Sequence, residues 1–190
     1  MLPAFDALPS QHIHVLRTPA DYAFALEHLR REPFIGFDTE SKPCFTSDAP
    51  RTGPHVLQFA SRDKAFIVQL SAQPPLDFLR EVLESSQMVK VGFGLKSDRG
   101  PLQRKLGLKL GATIDLASSM RRLGYKQTVG ARTAVAIALG RKLSKHKAIS
   151  TSNWAATTLS ESQVQYAAED AFAALAVFYA LGIQLNPRLN

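Results

Sequence analysis

The sequence predicts an α/β protein in which a mixed sheet is covered by helices. Three observations predict it. Short apolar runs of strand length recur up to about residue 93, helical spacing dominates afterwards, and a helix-start signal opens a long alanine-rich segment near residue 160. The chain's 190 residues fit one domain spanning 1–190 with a substantial core, and no repeat, low-complexity tract or linker divides them.

Residues 11–17 alternate in polarity and read as a strand. Thr18-Pro19 supplies a cap and a proline at the first helical position, so a helix should run from 19 to about 31. FIGFDTE at 34–40 begins apolar and ends acidic, as a central strand reaching a functional edge would. Residues 41–54 are rich in Ser, Thr and Pro and read as a loop. Residues 56–60 and 65–68 read as strands joined by a turn at 61–64. A helix is expected at 76–83, and an apolar strand at 88–93. Ser160-x-x-Gln163 is a capping box that starts a helix running through Tyr166 and Asp170 to about 181. The longest near-apolar run, 171–183, is too short to cross a bilayer of about 30 Å and reads as a core helix.

Apolar residues make up 45% of the chain, too many for disorder. The net charge of +7 is uneven: residues 90–147 hold 14 Lys/Arg against Asp98 and Asp115, a net of +12, while the remainder nets −5. A basic middle in an acidic chain is either a footprint for a polyanion or a set of solvated helix faces. One cysteine, Cys44, excludes an intramolecular disulfide framework and suits a reducing cytosol, and residues 1–10 do not resemble a secretory leader. A cytoplasmic, membrane-free protein is expected.

Asp38 and Glu40 lie two apart on a strand and so share a face. Such a pair is either two solvated carboxylates or a site for a cation that neutralises them. Tyr166 and Asp170, four apart on a helix, share a face within small apolar residues, where an aspartate needs a partner or a metal. Glu169 is turned about 100° from that face and is expected in solvent. Asp98 follows a glycine-bearing turn and, taken alone, reads first as a helix cap. Trp154 and Phe93 are expected in the core, although a tryptophan can also stack on a base. His12 and His14 would share a face of the first strand but fall short of a zinc ligand set.

Together, FIGFDTE at 34–40, KVGFGLKSD at 90–98 and YAAED at 166–170 resemble the three motifs of the tyrosine-bearing DEDD 3′→5′ exonucleases, the branch of ribonuclease D and the Werner-type exonuclease domain. HVLQFAS at 55–61 resembles the strand after the first motif, and the likeness spans about 33–181. Gly94 and Lys96 stand where many relatives carry an asparagine. The resemblance implies a ribonuclease H-like, three-layer fold and removal of nucleotides from single-stranded 3′ ends of DNA or RNA. It implies two divalent cations, Mg²⁺ or Mn²⁺, on Asp38, Glu40, Asp98 and Asp170, with Tyr166 orienting the attacking water. Thr39, Lys96, Arg99, Lys145 and Lys147 are the expected nucleic-acid contacts, and Lys90, Arg104, Lys105, Arg141 and Lys142, which flank the motifs, are further cations that could meet phosphates. A catalytically silent nucleic-acid-binding relative and a small-nucleotide phosphohydrolase are the competing readings. The oligomeric state is not legible.

Overall fold

In a computed structural model that describes residues 2–44, 51–70, 73–144 and 146–183, the chain builds one six-stranded mixed sheet. The strands are β1 (Ile13–Leu16), β2 (Phe34–Glu40), β3 (Val56–Ala60), β4 (Ala65–Gln69), β5 (Val89–Gly92) and β6 (Thr113–Asp115), in the spatial order β1-β4-β3-β2-β5-β6. β2, β3 and β4 are antiparallel neighbours, while β1–β4, β2–β5 and β5–β6 run parallel. The helices are α1 (Pro19–Leu29), α2 (Leu76–Glu84), α3 (Arg99–Leu106), α4 (Leu116–Arg122), α5 (Ala131–Leu139), α6 (Lys147–Ser150) and α7 (Glu161–Ala180). No described helix is long and apolar enough to cross a membrane.

Alternation along the central strands sorts their side chains into two cores. Ile35, Phe37, Leu57, Phe59, Phe66 and Val68 face α1, α2 and α3. The opposite parity, including Val56, Ala60 and Ile67, packs under α7 with Ala167 and Ala171. The result is the expected three-layer arrangement.

Local signals set the element ends. Thr18 and Asp21 close a capping box on α1, and Ser160 and Gln163 close one on α7. The first strand is shorter than expected, because the His12 N–H donates to the Pro9 carbonyl (2.9 Å) and residues Ser10–His12 form a 3₁₀ turn. His12 therefore leaves the strand and does not share a face with His14. Its Nδ1 donates to the Asp63 carbonyl (2.8 Å), while the His14 ring stacks on Phe66.

Two expectations about side chains fail. Lys90 is fully buried in β5, where its Nζ donates to the Ser85 and Met88 carbonyls, each at 2.7 Å, so it is not available to a phosphate. Glu169 is half-buried rather than solvent-facing. Gln165 Nε2 donates to it at 3.0 Å, and burial raises its carboxyl above the usual range. Trp154 lies in the core as expected, and Phe93, partly buried, packs against it.

Candidate active site

Asp38 and Glu40 stand at the C-terminal end of β2, on its α7-facing side. That side is identified by Gly36, two residues before Asp38: a Cβ placed there would lie 1.9 Å from the Ala171 carbonyl oxygen. Only a glycine lets α7 approach β2 this closely, and the contact is one residue from Asp170. Asp170 is 5% exposed and Tyr166 8%, and Tyr166 belongs to the apolar cluster between α7 and the sheet. Trp154, 1% exposed, sits with its ring 6.0 Å from that of Tyr166 and donates its Nε1–H to the Ser150 carbonyl. It backs the tyrosine and has no open face for a base.

The second motif reaches the same end of the sheet through β5, which pairs with β2 in parallel. Gly94 takes φ +69°, a left-handed conformation suited to glycine, and a 3₁₀ turn at Leu95–Ser97 delivers Asp98 to the start of α3. Asp98 makes no side-chain capping bond. Its Oδ1 accepts instead from Thr39 Oγ1 at 2.8 Å, across 59 residues of chain. This bond ties the first motif to the second. Burial pushes the Asp98 carboxyl up to about 6; the Thr39 hydroxyl opposes the rise and Asp115 adds to it.

Asp38, Glu40 and Asp98 bring carboxylate oxygens to this end of the sheet, a donor type that fits a hard divalent cation and not a thiolate-seeking one. The described side chains do not close into a finished cage: no three His, Cys, Asp or Glu groups among them are gathered to hold one ion. A partly buried acid that burial already pushes toward protonation is a group a cation would return to its charged form.

The expected nucleic-acid contacts divide. Lys96 and Lys147 are exposed. Thr39 is turned to Asp98. Arg99 donates to the Leu110 carbonyl (2.8 Å) and to Thr113 Oγ1 (3.0 Å), which ties its guanidinium to the loop before β6. Lys145 lies outside the described residues. Among the further cations, Lys105 donates to the Thr52 carbonyl and Arg141 pairs with Asp6, while Arg104 and Lys142 are exposed.

The sequence reading missed Gln58. It is fully buried in β3 directly opposite Asp38, and neither amide atom finds a partner among the described residues. One signal was available, a lone amide inside the apolar run VLQFA.

A family model described as 3′-5′ exonuclease matches residues 13–186. The bifunctional 3′-5′ exonuclease/ATP-dependent helicase WRN of Mus musculus is 31% identical over 151 residues, covering 78% of this chain and 11% of that protein. Exonuclease 3′-5′ domain-containing protein 2 of Drosophila melanogaster is 32% identical over 164 residues, covering 85% and 27%. The crystal structure of the Aedes aegypti Nibbler EXO domain superposes with a TM-score of 0.77 at 26% identity, covering 95% of this chain and 94% of that one. The chain thus spans roughly a tenth to a quarter of these two curated relatives and nearly all of the isolated domain.

Proposed function

The chain belongs to the 3′-5′ exonuclease domain family, and from that membership we propose that it is a metal-dependent exonuclease releasing nucleotides from single-stranded 3′ ends of nucleic acid. The observation that carries the reading is the Thr39–Asp98 bond, which draws the second motif's acid to the strand end holding Asp38 and Glu40. The close seating of α7 on β2 at Gly36 supports it from the other side.

In this reading Asp38, Glu40, Asp98 and Asp170 hold two divalent cations, Mg²⁺ or Mn²⁺. Bound there, the cations supply Lewis acidity for charge on the attacking and leaving oxygens. Asp38 presents its carboxylate with Oδ1 already accepting from the Thr39 N–H at 2.8 Å. Thr39 holds Asp98 in one orientation through its hydroxyl. A phenol is a poor general base near neutral pH, so the part given to Tyr166 is to orient the attacking water by a hydrogen bond. Trp154 limits the swing of that ring. Exposed Lys96 and Lys147 meet backbone phosphates. A reducing, cytosolic setting belongs to the same reading, supported by one cysteine in 190 residues.

Matched end-labelled single-stranded DNA and RNA, incubated with Mg²⁺, Mn²⁺ or chelator, test the proposal. Stepwise shortening from the 3′ end that chelator abolishes is the expected result. Absence of shortening with either ion, or shortening that survives chelation, would reject it.

A further inference from the structure

Residues 116–160 include eight Lys or Arg and no Asp or Glu. The first three cations, Arg121, Arg122 and Lys126, are exposed and stand outside every ion pair among the described residues. Between them lie two exposed apolar side chains, Leu123 (56%) and Tyr125 (36%). The backbone that carries them is fixed. Gly124, at φ +99°, donates its N–H to the Arg121 carbonyl (3.1 Å), and Tyr125 donates its N–H to the Met120 carbonyl (3.2 Å). These two bonds close the end of α4 in the left-handed manner that commonly seats the residue after the glycine against the helix. Here that residue, Tyr125, is left in solvent. Arg121 and Arg122, in the last turn of α4, suit the helix dipole. Lys126 lies in the loop beyond it, and Arg132 sits in the first turn of α5, where the dipole opposes a cation. Helix stability therefore accounts for only part of this charge.

We infer that the exposed end of α4, from Arg121 to Lys126, is a docking surface for single-stranded nucleic acid several nucleotides away from the 3′ end being cut, with the cations on backbone phosphates and Tyr125 stacked on a base. Cations interleaved with a ring match a strand that alternates phosphate and base, and every base offers a π-face to a tyrosine. The placement fits. Asp115 is the last residue of β6, is paired in register with Gly92 and caps α4, so α4 starts at the sheet end where the second motif's turn delivers Asp98. The seven residues of α4 then carry the chain about 10 Å at about 1.5 Å per residue. A few nucleotides span that distance at about 3.4 Å or more each. The inference rests on the exonuclease reading for the position of the 3′ end, and deepens it by naming where the preceding part of the strand binds.

The test uses the whole chain as Tyr125→Ala, Tyr125→Phe and the double variant Arg121→Ala/Arg122→Ala. Two quantities are read. One is Kd for a single strand of about 16 nucleotides, the upper end of usual single-strand sites, by fluorescence anisotropy in chelator across a salt series. The other is kcat/KM with Mg²⁺ on that strand and on a trinucleotide. Tyr125→Ala should weaken Kd roughly tenfold, and Tyr125→Phe should restore it, because stacking needs the ring and not the hydroxyl. The double variant should lower the salt slope by about 1.4, two phosphate contacts at about 0.7 each. With metal, Tyr125→Ala and the double variant should each lose roughly tenfold more kcat/KM on the long strand than on the trinucleotide, which is too short to reach α4. Variants that hold the long strand as tightly as wild type would overturn the inference, and would leave the surface to an acidic protein partner. Equal losses on both lengths would also overturn it, since these residues would then act through the fold or the site. Wild type that binds no strand overturns this inference and the exonuclease reading together. Wild type that binds through Tyr125 yet shortens nothing removes the exonuclease reading and leaves the docking surface standing.

Discussion

Gly36 and Ala171 meet backbone to backbone: a single added carbon at Gly36 would stand 1.9 Å from the Ala171 carbonyl oxygen. The Ala171 carbonyl belongs to a helix and cannot yield as a flexible side-chain tip could. Gly36→Ala should therefore destabilise the fold by about 3 kcal/mol, the upper end of ordinary overpacking. Gly130, with φ −88° and nothing within 4 Å of an added Cβ, should tolerate alanine within about 0.5 kcal/mol. Urea denaturation compares the two. A Gly36→Ala protein as stable as Gly130→Ala would mean that α7 does not sit on β2 this way.

Asp38→Ala should bring nucleotide release below detection while the melting temperature stays within a few degrees of wild type. Tyr166→Phe removes a hydrogen bond and leaves every carboxylate, so its kcat should fall by less than about 10²-fold. Single-turnover assays on a labelled oligonucleotide rank the two. Equal losses would mean that the phenol does more than orient water.

Thr39→Val deletes the hydroxyl donated to Asp98 and keeps the shape of the side chain. Release should slow roughly tenfold, and the Mg²⁺ concentration for half-maximal rate should rise. Thr39→Ser, which restores a hydroxyl, should recover most of the loss. If serine rescues nothing, the methyl group and not the hydrogen bond is what matters at residue 39.

Burial holds the Lys90 ammonium down at about 8, against an ordinary 10.5. Between those pH values the unfolded chain binds more protons than the folded one, so stability from this residue rises with pH. The cost of burying the charge is fully present below about 8 and fades as pH approaches 10.5. Relative to Lys90→Met, wild type should gain about 2 kcal/mol between about pH 7 and 9.5 in denaturant titrations. A constant difference across that interval would show that the lysine titrates normally in the fold.

Lys96→Ala and Lys147→Ala should each reduce the dependence of log Kd on log salt for a single strand by about 0.7, the share of one phosphate contact. Lys90→Met should leave that slope unchanged, because its ammonium is enclosed by the Ser85 and Met88 carbonyls. Fluorescence anisotropy in chelator reads binding without turnover.

What the sequence determined by itself was what short-range physics controls. A short strand-like run before a turn located β3 at its observed bounds, and the Ser160/Gln163 capping box and the Thr18-Pro19 start signal opened α7 and α1 where Ser160 and Thr18 stand, since a cap satisfies N–H groups within one turn. Two-residue spacing put Asp38 and Glu40 on one strand face, and four-residue spacing put Tyr166 and Asp170 on one helix face, both read directly from backbone periodicity. The ordered motifs added the family. Only the tertiary structure decided which faces close. It buried Lys90 beneath the loop after α2, half-buried Glu169, turned Thr39 to Asp98, set Trp154 behind Tyr166 and placed Gln58 opposite Asp38. Thr39 and Gln58 in particular face residues brought in from elsewhere along the chain. Burial and pairing are set by what arrives across the sheet, and the residue's own neighbours in sequence carry little record of it.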